Sequence, residues 1–542
     1  MMNLNLNFMN KMDQYISFYI DGHDSNISFY RPFDNKLLSL ELERVWGQRY
    51  FRYSLLSESE KNYFFKYVKK IVEDFGFHSE FKTGLFVIPS PDSNDICLDY
   101  HSRVQKEFGI VDVHRYNHHD CHVASAFYDS QFDNSFVVSY DGGGNDGMFS
   151  LYEANKQSGL KRINDHNFSD FTTSYSAASL FIKEISKSSD RLLNVLTGAG
   201  KLMGLSAYGS YDKELYDKCY KFVSTKSFPN YTNFFNIITV GITDGKLTNS
   251  FSEKSAYDLS FNMQLAFENL FIEKFKINFN PSIHKNVCLT GGGALNVLLN
   301  DRLSKMYPDT NFYVPCCPND SGLSYGMMCL HFKKKLITDP MYSGCQILDK
   351  ETLPHILTYR PWQHATPSLI AKELFKGKII GLCQGNSEVG PRALGNRSIL
   401  AHPGLFNIKD DINKKVKFRE WFRPFAPVCC EEDAYKYFET SNNVNYSYMS
   451  YSPKVREECR KMLPAVTHVD GSSRLQTLKS EQNPYLYEIL REFEKLSGYP
   501  ILVNTSFNVR GKSILTHYQA ALQNLDSTQL DGVILEKYYI SK

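Results

Sequence analysis

Two stretches resemble each other in their pattern of apolar and polar positions. "YISFYIDGHDSNISFY" (Tyr15–Tyr30) and "SFVVSYDGGGNDGMFSLYE" (Ser135–Glu153) each run as an apolar, β-branched and aromatic segment, a turn rich in Asp, Gly and Asn, and a second such segment. That pattern predicts two β-hairpins. Asp21 and Asp141 fall at equivalent places, where the first strand of each hairpin ends. A third apolar strand in "NVCLTGGGALNVLLN" (Asn286–Asn300) runs into three glycines and then a helix. Glycine lets backbone N–H groups approach a ligand closely, and a helix N-terminus favours negative charge, so this turn suits a phosphate or nucleotide. "LTGAGKLMGLSAYG" (Leu196–Gly209) is another glycine-rich stretch and carries Lys201.

From about Leu336 to Thr366 the period fades among three prolines, and this region reads as a connection between domains. "SLIAKELFKGKIIGLCQG" then predicts a helix, a glycine turn and a buried strand, the opening of a second α/β unit. The expected division is 1–345, a linker at 346–366, and 367–542. With 542 residues, 42% of them apolar and 22% charged, the chain has material for two such domains. A formal net charge of +2 gives no general case for a nucleic-acid partner. No basic-then-apolar leader and no uninterrupted apolar run of membrane length are visible. The 12 cysteines include no CxxC spacing, which reads as reduced thiols of a cytoplasmic protein.

Candidate chemistry gathers in two places. In "NHHDCHVASAFYDS" (Asn117–Ser130), just ahead of an expected amphipathic helix, His118 and His122 are four apart and share a helix face. On spacing alone they are either a metal-binding pair or a polar patch. In the second unit, "GPRALGNRSIL" supplies Arg392 and Arg397, "KVKFREWFRPFAPV" supplies Lys415, Lys417, Arg419 and Arg423, "HVDGSSRLQ" supplies Arg474, and "ILVNTSFNVRGKSIL" supplies Asn504, Ser506, Asn508 and Arg510. Guanidinium forks and ammonium groups beside small polar donors suit a triphosphate or an acyl phosphate.

Taken in order, "HHDCHVASAF", "DGGG", "GKLMGLSAYG", "GGGALN", "PNDSG", "GPRALGNRSIL", "KFREWFRPFAP", "PAVTHVDGSSR" and "NTSFN" resemble the signatures of the nodulation/cephamycin/tobramycin type of O-carbamoyltransferases, across about residues 15 to 540. The resemblance implies an α/β (α+β) protein. Its N-terminal domain would be actin-like, a duplicated RNase-H-like unit similar to the TsaD-like enzymes that attach threonylcarbamoyl to tRNA. Its C-terminal domain would be YrdC-like and form carbamoyl adenylate from carbamoyl phosphate and ATP, the nucleotide carrying Mg. The carbamoyl group would then pass to a hydroxyl of a sugar, natural product or glycan.

Carried over residue by residue, Arg392, Lys417, Arg423, Arg474, Asn504 and Ser506 match positions around carbamoyl phosphate and nucleotide. His118 and His122 match a metal-binding pair, Asp320 a distant carboxylate ligand, and Asp141 an acidic position beside the metal. The resemblance favours Fe(II), with Zn or Mn workable. Asp21 and His23 match positions that deprotonate or orient the acceptor. Lys201, Gly292 and Asn296 would line the nucleotide pocket. Lys512, Asn26 and Asn145–Asp146 depart from the family pattern. Other readings are a threonylcarbamoyl-type tRNA-modifying enzyme and a non-catalytic actin-like nucleotide-binding protein. The resemblance does not specify the acceptor.

Overall fold

The computed structural model describes residues 13–20, 23–89, 94–163, 171–188, 191–225 and 253–542; Asp21 lies outside them. The first sheet holds β1 (Tyr15–Tyr19), β2 (Asn26–Arg31), β3 (Lys36–Glu41), β4 (Thr83–Val87) and β5 (Asp112–Tyr116), in the order β3-β2-β1-β4-β5. The second holds β6 (Asn134–Tyr140), β7 (Phe149–Asn155), β8 (Gly159–Arg162), β9 (Asn286–Thr290) and β10 (Asn311–Tyr313), in the order β10-β9-β6-β7-β8. Read from its third strand, the second sheet repeats the first. In each, three strands form an antiparallel meander, and the first of them also pairs in parallel with the fourth. The duplication seen in the hairpins therefore extends to the whole sheet, and gives the N-terminal half its actin-like topology.

Between the sheets lie α1 (His118–Ser130) and, later in the chain, α5 (Leu323–Phe332). α1 packs on β6 and β9, α5 packs on β1, β2 and β4, and the two helices pack on each other. α1 was expected to be amphipathic. Instead, Asp120 and Ser130 alone among its thirteen residues escape full burial. A helix covered on all sides has no solvent face to mark with polar residues. The outer helices that matter for the site are α2 (Arg191–Ser206), α3 (Glu253–Asn278) and α4 (Val297–Met306).

The C-terminal half is built on one mixed sheet, in the order β11-β18-β17-β12-β13-β16-β14-β15. Its strands are β11 (Gln363–His364), β12 (Ile380–Cys383), β13 (Arg397–Ala401), β14 (Ala426–Cys430), β15 (Gln476–Leu478), β16 (Ile501–Ser506), β17 (Gly532–Leu535) and β18 (Tyr538–Ser541). The segment read as a linker is ordered. It carries a short helix, Leu353–Tyr359, and β11, which pairs with β18 at the sheet edge. A helix of two turns and a strand of two residues are too short to imprint a period on the sequence.

Backbone bonds also tie the halves together upstream of that helix. Ser39 N donates to Ser343 O (2.8 Å) within the first half, and from there Gly344 N donates to Ser387 O (3.1 Å) and Cys345 O accepts from Ser387 N (2.8 Å). One apolar core runs from β6 and β9 into β12, β13, β14 and β16. The eleven cysteines whose burial is described are all buried and unpaired. Among the described residues no helix is long and apolar enough to cross a membrane.

Candidate functional site

Asn117 ends the extended chain after β5, and α1 begins at His118. The i, i+4 spacing turns His118 and His122 to one side, their Nε2 atoms 3.1 Å apart. β6 ends at Tyr140 and delivers Asp141, whose Oδ2 lies 3.2 Å from His118 Nε2 and 2.9 Å from His122 Nε2. A tight turn before α5 delivers Asp320, whose Oδ1 lies 3.4 Å and 3.2 Å from the same nitrogens. The four ligand atoms all fall within 4.8 Å of one another. Donors bound about 2.1 Å from a shared ion in a tetrahedron stand about 3.4 Å apart, so this set fits a divalent cation.

Supporting bonds fix the ring of donors. Tyr19 Oη donates to Asp320 Oδ2 (2.8 Å), and His118 N donates to Asn145 Oδ1 (2.9 Å). Burial would lower the pKa of His118, but Asp320 and Asp141 outweigh it and hold the imidazole up at about 10. Burial likewise opposes the charge on Asp320, and the two histidines overcome it, holding the carboxylate well below its usual range. His119 faces away. Its Nδ1 meets Ser139 Oγ at 2.7 Å and its Nε2 meets Gly147 O at 2.8 Å.

The glycine turn after β9 presses onto the end of β6. Gly291 has φ +86°, and a Cβ there would stand 2.3 Å from Tyr140 O. Gly292 N donates to Asp141 Oδ1 (3.2 Å), so this backbone amide points at a carboxylate of the four-donor set. Asn296 caps α4, accepting from Leu299 N (3.1 Å), and exchanges two bonds with Gln264 of α3. It contributes a wall, with its amide already engaged. His23 stands beside Asp24 (3.3 Å). Burial acts against its charge, but Asp24, with Asp320 and Asp141 behind it, keeps it up at about 10.

The second cluster gathers around β16. Alternation along that strand turns Asn504 and Ser506 to one face. Lys417 follows a π-helical turn, Ile412–Val416, and its buried ammonium donates to Ser506 O, to Ser506 Oγ (3.0 Å) and to Asn508 Oδ1. Asn504 Nδ2 is engaged by Gln476 Oε1 (2.6 Å), while its buried Oδ1 has no hydrogen-bond partner. Arg423 stands 3.7 Å from Glu420, whose other oxygen lies 3.4 Å from Lys201 of α2.

Arg392 and Arg474 are different. Among the described residues, only cations contribute the charges that act on them. Burial and then Arg423 push Arg392 down to about 10, and burial, Arg392, Arg423 and Arg419 push Arg474 well below its ordinary value. Arg474 Nε is buried without a partner. Desolvating an uncompensated cation costs several kcal/mol, and an anion in the cluster offsets that cost. Arg397 is not part of it, because its fork is spent on the carbonyls of Gln384, Gly385 and Asn396.

One continuous cavity of about 930 Å³ joins the two clusters. His118, Asp141 and Asp320 line one region, and Arg392, Lys417, Arg423 and Arg474 another, with Lys201 and Gly292 also on the wall. Sequence reasoning missed Arg49 and Tyr50, which line the cavity from the first domain. Their only signal was a left-handed φ of 57° at Tyr50, which a sequence does not display.

Residues 54–329 match the family model described as carbamoyltransferase N-terminus, and residues 371–542 match the one described as carbamoyltransferase C-terminus. The chain is 31% identical to nodulation protein NolNO of Sinorhizobium fredii over 81% of this chain, spanning 66% of that protein's length. It is 30% identical to nodulation protein NolO of Bradyrhizobium diazoefficiens over 79% of each. A solved structure titled as full-length HypF in the phosphate- and nucleotide-bound form aligns with a TM-score of 0.35 at 13% identity, covering 59% of this chain and 55% of that one.

Proposed function

The chain belongs to the carbamoyltransferase family, and from that premise we propose that it is an ATP-dependent O-carbamoyltransferase working through carbamoyl adenylate. The observation that carries this reading is the single cavity with unpaired cations at one end and a four-donor metal set at the other. At the cationic end, carbamoyl phosphate loses phosphate to water and becomes carbamate. A carbamate oxygen attacks the α-phosphorus of Mg-bound ATP, the bond to pyrophosphate breaks, and carbamoyl adenylate forms. Arg392, Arg423 and Arg474 hold the phosphates as they gain charge, and the charge of Lys417, anchored on Ser506 and Asn508, attracts the carbamate as it enters. Asn504 Oδ1, buried and without a partner, accepts from the carbamoyl amide. Lys201 and Gly292 bind the nucleotide on its way, and Asn296 shapes the wall.

The mixed anhydride then moves within the cavity, shielded from bulk water. At the other end an acceptor hydroxyl attacks the carbamoyl carbon, the bond to AMP breaks, and the proton leaves through His23, with Asp21 as its companion. His118, His122, Asp320 and Asp141 would hold Fe(II), Zn or Mn. Such an ion supplies Lewis-acid stabilisation of charge on the adenylate phosphate.

With ATP and carbamoyl phosphate but no acceptor, the purified protein is expected to release pyrophosphate. Arg392→Ala is expected to reduce that release at least a hundredfold. His118→Ala is expected to spare it and to stop carbamate formation on an added sugar or glycan, read by mass. No pyrophosphate from the metal-loaded protein refutes the first half-reaction.

A further inference from the structure

We propose that Arg44, with Glu41, is a positioning residue for Arg392: the first domain holds in place the loop with which the second domain grips phosphate. The proposal rests on the reading above that the cation cluster binds phosphates. β3 ends at Glu41, and the short turn after it carries Arg44 into the seam between the halves, where it is only 4% exposed. Arg44 Nη1 donates to Glu388 O (2.7 Å), and Nη2 donates to Gly390 O. Arg44 Nε lies 3.1 Å from Glu41 Oε1, and that same oxygen accepts from Gly390 N (2.8 Å). Both the N–H and the C=O of Gly390 are therefore held by side chains of the first domain.

Gly390 is also pressed on that domain's backbone. Its φ is +101°, and a Cβ there would stand 2.5 Å from Cys316 O. The far side of the loop is tied internally, with Glu388 Oε1 accepting from Leu394 N (2.8 Å), Asn396 N (2.7 Å) and Arg397 N (3.0 Å). Arg392 lies two residues beyond Gly390, and no acid among the described residues offsets its charge. Where its guanidinium stands is thus set by the loop backbone, and the near side of that loop is set by Arg44 and Glu41. A planar fork holding two carbonyls at once is a task lysine cannot perform, although lysine keeps the charge beside Glu41.

The test is a double-mutant cycle on the full chain, with calorimetric binding of inorganic pyrophosphate as the readout. Arg44→Lys is expected to weaken binding about tenfold in the otherwise native chain, and to add no further loss to Arg392→Ala. Bound metal per chain is expected to stay unchanged. If Arg44→Lys fails to fold, Glu41→Gln takes its place in the cycle; it keeps an oxygen for Gly390 N and removes the charge beside Arg44. Native affinity in the folded variant, or losses that multiply with those of Arg392→Ala, overturns the proposal. A native chain that binds pyrophosphate with this coupling but releases none from carbamoyl phosphate and ATP refutes the adenylate chemistry and leaves the positioning intact. Native pyrophosphate release alongside an indifferent Arg44→Lys refutes the positioning alone.

Discussion

At the scale of single residues, what matters is where each polar atom is already committed. Arg392 and Arg397 are five apart in one glycine-rich run, yet Arg397 spends its fork on backbone carbonyls while Arg392 is buried where the charge of Arg423 opposes its own. Residue type was legible in the sequence; the commitment was not, because it depends on partners brought in by folding. His118 and His122 were legible as a pair from their spacing, but Asp320 lies 198 positions from His122 and no spacing rule reaches it. His23 offers a prediction at this scale. Asp24 helps to hold its pKa up at about 10, against the 6.5 of an ordinary histidine. A raised pKa confines a base to higher pH, so Asp24→Asn is expected to move the acid limb of the transfer step to lower pH, by a unit or more. The pH–rate profile of carbamate formation measures this, and an unmoved limb removes His23 from the base role. The same raised pKa adds stability that is complete below about 6.5 and is lost as pH rises through about 10.

At the scale of elements, the strands were legible and the central helices were not fully so. Short apolar, β-branched and aromatic runs on either side of Asp- and Gly-rich turns mark β1, β2, β6 and β7. α1 is covered on nearly all sides and α5 along its first seven residues, so neither carries a clear solvent face to read. Their closeness depends on Gly326, where an added Cβ would stand 2.2 Å from Cys121 O, one residue before His122. Gly326→Ala is therefore expected to destabilise the fold by about 1–3 kcal/mol by overpacking. It is also expected to weaken metal retention by displacing His122. Thermal unfolding and metal content per chain measure the two effects, and native values for both contradict the packing argument. The ordered segment Leu353–Tyr359 and β11 escaped the sequence for a simpler reason, being too short to show a period.

At the scale of the whole molecule, the sequence pattern lapses in the segment expected to be a linker, with an α/β unit read on either side of it. The seam was not visible, since it is made by backbone bonds between Gly344, Cys345 and Ser387 and by side chains from Glu41 and Arg44. The continuous cavity leads to a test at this scale. Arg392→Ala chains retain the transfer end and His118→Ala chains retain the adenylate end. If the intermediate travels inside one chain, a mixture of the two is expected to form no carbamate above the sum of the separate proteins. Restored product in the mixture means release into bulk solution. The seam has a further consequence for heredity. A recombination event that exchanges the first half to gain a new acceptor also exchanges Glu41 and Arg44, and with them the support under Gly390. If Glu41 and Arg44 position Arg392, crossovers that preserve those contacts are expected to yield working hybrids, and the rest to inherit the Gly390 loop without its foundation.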